Sequence, residues 1–138
     1  MPVLWKSVKQ DLISLSTQES EYVALSTAMR SLVHLRALLL EIASKFNLAY
    51  GDKISTLSTV FEDNRAAKIL ATTDPPRLTP RSKHIALRYH WFRSHIGVKN
   101  GHGIQIVDVA SKKNKADMFT KALARDPFCA NRLTVSGW

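Results

Sequence analysis

The sequence predicts an α/β domain, and three observations carry that expectation. Segments rich in β-branched residues alternate with segments of helical period, in the order strand, helix, strand, helix, helix, strand, helix. A capping pair, Ser16 and Glu19, opens an apolar stripe that recurs at three and four residues. Stop signals at Gly51, Asp74-Pro75-Pro76, Gly97 and Gly101 separate these segments.

Residues 3–15 read as a first strand, because Val3, Trp5, Val8, Leu12 and Ile13 are strand formers in loose alternation. A helix over about 18–46 follows, with Val23, Ala24, Ala28, Leu32, Leu35, Leu39, Ile42, Ala43 and Phe46 as its stripe. Asn47 and Gly51 are its stop signals. Residues 54–61 form a second strand, and 65–71 a short helix capped by Asp63 or Asn64. Asp74-Pro75-Pro76 stops that helix, since proline cannot continue the hydrogen-bond ladder. Thr79-Pro80 opens the next helix, whose buried positions are Ile85, Tyr89, Phe92 and Ile96 and whose end is set by Gly97 and Gly101. A third strand covers 103–110, a loop 111–115 and a helical start 116–123. The tail after Pro127 is weakly patterned.

A chain of 138 residues is long enough for one domain with a buried core. At 45% hydrophobic and 22% charged residues it is neither collagen-like nor low-complexity. A single cysteine, Cys129, excludes a disulfide scaffold and points to a reducing, intracellular compartment, cytoplasmic or nuclear. The N-terminus lacks a signal-peptide layout, which argues against secretion. The richest apolar run, 32–43, is broken by His34, Arg36 and Glu41, so no membrane association is expected. The net charge of +9 is lopsided: residues 1–70 carry eight basic and seven acidic side chains, residues 71–138 twelve and four. A half at +8 suits a polyanion, most simply nucleic acid, although a generally basic surface has the same composition.

Three carboxylates fall at element boundaries. Glu21 lies in the first turns of a helix, Asp63 at the C-terminal end of a strand, and Asp117 at a helix start. In open α/β sheets such positions line the ligand crevice. Carboxylates meeting there can hold magnesium, a hard ion that takes oxygen ligands, and paired ions can clamp a phosphodiester. Acids near helix N-termini also stabilise the macrodipole, so position alone leaves both roles open.

Five segments, in order and covering nearly the whole chain, resemble the ribonuclease H domain that ends copia-type retrotransposon Pol polyproteins. WKSVKQ at 5–10 is similar to that family's "WKSKKQ", and SLSTQESEYVA at 14–24 to "ALSSTEAEYMA". EDNRAA at 62–67 resembles "CDNQSA", SKHIALRYH at 82–90 "TKHIDIRYH", and KADMFTKAL at 115–123 "LADILTKPL". The resemblance implies that 1–138 is a partial ribonuclease H-like domain, with a mixed sheet and flanking helices. It implies hydrolysis of RNA in RNA–DNA hybrids with two magnesium ions, downstream of a reverse transcriptase in the parent polyprotein. The family's carboxylates fall on Glu21, Asp63 and Asp117.

The family's first metal Asp lies in an "SDADWAG"-like strand ahead of the point matched by Met1. The expectation is therefore an incomplete fold without the first two strands, with three of four carboxylates and little catalysis by this chain alone. A non-catalytic nucleic-acid-binding remnant is the alternative. Unpaired strand edges would invite self-association. Glu62, Ala86 and Ala122 depart from the family's Cys, Asp and Pro, none of them a metal ligand there.

Arg81, Lys83, Arg88, Lys112, Lys113 and Lys115 are the phosphate-contact candidates. His84, His90, His95 and His102 fit no zinc spacing, and for His84 and His90 the resemblance implies packing or phosphate contact rather than catalysis. Trp91 and Phe92 are expected in the core, and Cys129 is expected to be inert.

Overall fold

The structure is a computed structural model, and it describes residues 2–48, 56–73, 89–99 and 102–137. The expectations at Gly51, Asp74-Pro75-Pro76, Thr79-Pro80, His84, Ile85, Ala86 and Gly101 lie outside them. So do the phosphate-contact candidates Arg81, Lys83 and Arg88.

Helix α1 spans Thr17–Lys45. The Ser16 hydroxyl accepts from the Glu19 amide at 3.2 Å, while the Glu19 carboxylate reaches back to the Leu15 amide at 2.8 Å. Two orphan donors are thereby satisfied, the second one residue further out than in a strict capping box. At the other end Asn47 adopts a left-handed φ of 50°. Its amide bonds the Ser44 carbonyl, and the Leu48 amide bonds that of Ala43, which is a Schellman closure.

Strand β1 (Leu57–Glu62) leads through Asn64 into helix α2 (Arg65–Thr72). The Asn64 side chain accepts from the Ala66 and Ala67 amides, both at 3.1 Å, and so caps α2. Strands β2 (Gly97–Lys99) and β3 (His102–Asp108) complete a mixed sheet of order β1-β3-β2. β1 runs parallel to β3 with Val60 beside Ile106, and β2 runs antiparallel with Lys99 beside His102. Helices α3 (Asp117–Thr120) and α4 (Arg125–Ser136) follow. The fold is α/β with a mixed sheet and flanking helices, consistent with an incomplete ribonuclease H-like fold.

The core lies between α1, α2 and one face of the sheet. Tyr22, Leu25 and Met29 of α1 meet Ala67, Leu70 and Ala71 of α2, Phe92, and Ile104 and Ile106 of β3. Arg36 ties α1 to the start of β1, donating to the Ser58 hydroxyl at 2.6 Å and the Thr56 carbonyl at 2.9 Å. Phe92 is fully buried, and the Trp91 indole donates to Ser26 at 3.1 Å, so both aromatics serve packing. The His90 Nδ1 pairs with the Tyr22 hydroxyl at 2.8 Å.

Four local expectations are corrected. Residues 2–16 form no strand, and Val3, Leu4, Trp5, Val8, Ile13 and Leu15 are exposed. A strand needs a neighbour for its backbone groups, and among the described residues none pairs with this segment. The buried stripe of α1 is Tyr22, Val23, Leu25, Ser26 and Met29, whereas Leu39, Ile42 and Phe46 are exposed. The helix expected through Ile96 is instead a 3-10 helix over Trp91–His95 followed by β2. There Arg93 bonds the carbonyls of Leu70 and Thr73, securing the turn to the end of α2. The tail forms α4, whose Pro127 sits in the first turn, where a missing N–H costs little.

Among the described residues α1 is also long and apolar enough to cross a membrane by length and composition, contrary to the count of uninterrupted apolar residues. Its N-terminal half supplies the core, while Leu38, Leu39, Leu40 and Ile42 farther along are exposed.

Candidate functional site

The C-terminal end of β1, the first turns of α1 and the segment around α3 converge on a cleft of about 870 Å³. Residues 4–6 and 8–12 also line it, as do Ala24, Ala28, Leu32 and Leu35 of α1. The cleft opens at the carboxyl end of the parallel pair β1–β3, where α/β sheets place their ligands.

All three boundary carboxylates, Glu21, Asp63 and Asp117, line this cleft. Glu21 projects from α1 one residue before the buried Tyr22, and Asp63 follows the last residue of β1. Oxygens of Glu21, Glu62 and Asp63 all lie within 4.8 Å of one another. Asp117 stands outside that triplet, and its Oδ1 accepts from the Lys121 ammonium at 2.8 Å. Lys121 itself lines the cleft.

Glu62, noted in the sequence only as a departure from the family's Cys, joins the carboxylate group. It is 7% exposed, and its Oε1 accepts from the Asn64 amide at 3.0 Å. Burial pushes its carboxyl up to about 7, against the pull of that hydrogen bond, and the charges of Glu21 and Asp63 add to the rise. The signal was available: a second acid beside Asp63 at a strand end, where the family carries a neutral Cys. Burial also raises Glu21, with Asp63 and Asp117 adding to the rise and Lys121 opposing it. Lys121 is raised chiefly by its hydrogen bond to Asp117. Crowded carboxylates that resist ionisation together are suited to taking up a cation.

The basic candidates divide. Lys112 and Lys113 are exposed on a 3-10 turn over Ser111–Lys113, just ahead of the cleft residue Asn114. Lys115 reaches the Asn131 side chain of α4 at 3.4 Å. Cys129 is exposed on α4.

No protein-family model and no solved structure matches the chain. Curated proteins do, among them three from plants. The chain is 27% identical over 128 residues to the Retrovirus-related Pol polyprotein from transposon TNT 1-94 of Nicotiana tabacum. It is 32% and 29% identical, each over 127 residues, to the Retrovirus-related Pol polyproteins from transposons RE2 and RE1 of Arabidopsis thaliana. These alignments cover 91–92% of the chain but only 8% of each relative. The homologues of this chain are thus copia-type retrotransposon Pol polyproteins, which supports a retroelement origin for it.

Proposed function

We propose that these 138 residues are the ribonuclease H-like part of a copia-type Pol polyprotein, acting on RNA–DNA hybrids within the full-length parent. The observation that carries this reading is the meeting of Glu21 with Glu62 and Asp63, within 4.8 Å, in a cleft that Asp117 also lines. The donor set is all carboxylate oxygen, the chemistry a hard divalent ion takes. Glu21, Asp63 and Asp117 would hold magnesium, and Glu62 offers a further oxygen at the same place. Bound magnesium would activate water and stabilise charge on the phosphodiester oxygens. The protein's own part is to fix these carboxylates at the ends of rigid elements and to hold the strand by its phosphates. Lys112, Lys113 and Lys115 are placed for that holding, with Arg81, Lys83 and Arg88 as further candidates by resemblance.

The family pattern uses one more carboxylate, on a strand outside these 138 residues. The test is cleavage of a labelled RNA–DNA hybrid in magnesium, by this chain alone and by the parent polyprotein segment that includes the reverse transcriptase. Little cleavage by the chain alone, cleavage by the longer segment and its loss in Asp63→Asn are the expected results. Cleavage by the longer segment that survives Asp63→Asn overturns the site. The exposed Lys112 and Lys113 favour one second reading, nucleic-acid binding without catalysis. Hybrid binding without cleavage in either form would select it.

A further inference from the structure

We propose that the Lys121 ammonium is a built-in counter-cation of the cleft, competing with a divalent metal for its carboxylates. The inference rests in part on the metal reading above, but its geometry stands separately. α3 is a single turn, and it brings Lys121 back over Asp117. Two bonds fix the pair: the Lys121 amide to the Asp117 carbonyl at 2.8 Å, and Nζ to Oδ1 at 2.8 Å. The partners are unequally exposed, the Asp117 side chain at 16% and that of Lys121 at 57%. The carboxylate is thus anchored in the cleft wall, while the ammonium comes in from the solvent side on a flexible stem.

Lys6, Lys9 and Arg30 also line the cleft, but none of them is among the charges that act on Glu21. Glu21, Glu62 and Asp63 lie together, and Lys121 is the cation whose charge opposes the rise at Glu21. Lys115, the other lysine on this segment, is turned toward Asn131. Lys121 therefore supplies the positive charge that lets Asp117 stay oriented toward its acidic neighbours when no metal is present. A divalent ion that engages Asp117 must displace the ammonium, and the four-carbon stem allows it to swing outward without moving the backbone. The exposure of Lys121 keeps this competition mild, since exposed ion pairs are weak and screened.

Two measurements on the 138-residue chain test this, using Lys121→Met and Lys121→Arg. Calorimetric titration with Mn²⁺ should show Lys121→Met binding about threefold more tightly than the natural chain, with Lys121→Arg close to it. Equal or weaker binding by Lys121→Met overturns the proposal. Thermal unfolding in EDTA should show Lys121→Met melting below the natural chain at low salt, with the gap closing near 1 M salt, where screening acts within ~3 Å. If no chain binds Mn²⁺, the metal reading falls. A salt-sensitive loss of stability in Lys121→Met then still supports the counter-cation, and its absence overturns it. Lys121→Arg keeps the charge, so a variant that loses stability through misfolding rather than charge is recognised by equal loss in both.

Discussion

The carboxyl of Glu62 gives the domain a pH-dependent stability that one substitution should remove. Its ordinary value of 4.5 rises to about 7 in the fold, with burial the leading cause. Below pH 4.5 the group is protonated in both folded and unfolded chains and costs nothing. Between 4.5 and about 7 the unfolded chain releases the proton first, so stability falls as the pH rises. Above about 7 the folded chain carries the charge and the cost is complete. At 1.36 kcal/mol for each tenfold step, that cost is about 3 kcal/mol as a ceiling.

Glu62→Gln keeps an oxygen for the Asn64 amide and removes the titration. Urea unfolding followed by far-ultraviolet circular dichroism, in EDTA from pH 4.5 to 8, measures the difference. EDTA matters because a divalent ion would supply the counter-charge that Glu62 otherwise lacks. The variant should gain on the natural chain as the pH rises, by up to about 3 kcal/mol at pH 8, equivalent to roughly 10 °C in Tm. Salt should remove only the share owed to Glu21 and Asp63, since burial is not screened. A difference that stays constant with pH, or a natural chain more stable at pH 8, would refute the reasoning.

Gly103 has a φ of 131°, and a Cβ built there overlaps the carbonyl oxygen of Gly97 on the neighbouring strand. Gly103→Ala should therefore cost about 2 kcal/mol or more in urea unfolding, and a neutral result would show that β2 does not lie against β3 as described. Binding to a hybrid duplex, followed by fluorescence anisotropy, should weaken with salt at a logarithmic slope near −3.6 if about four phosphates are neutralised. A flat response would remove the nucleic-acid role assigned to the basic half.

What the sequence made legible was local. The Ser16 and Glu19 pair, the Asn47 stop and the Asn64 cap each act within a few residues, and each is found in the structure. The positions of Glu21, Asp63 and Asp117 were legible for the same reason, because each is defined by the start or end of its own element. α4 escaped notice because its buried residue is Asn131 and its Leu133 is exposed, so no apolar stripe marks it. The β2–β3 pair carried a signal that was passed over: Asn100-Gly101, outside the described residues, is a turn dipeptide between short runs of Val and Ile. Reading Gly97 as a helix stop obscured it.

Residues 2–16 show where such reading must stop. Their composition favours a strand, but β preference records how side chains fit a half-buried, paired surface rather than an intrinsic backbone choice. Among the described residues β1 is hydrogen-bonded to β3 on one side only, and the strand formers of the N-terminal segment, some of which line the same cleft, pair with no strand. Glu21, Glu62, Asp63 and Asp117 line that cleft as well. A strand that paired with the other edge of β1 would run past Glu62 and Asp63 at its carboxyl end and change the solvation of both carboxylates.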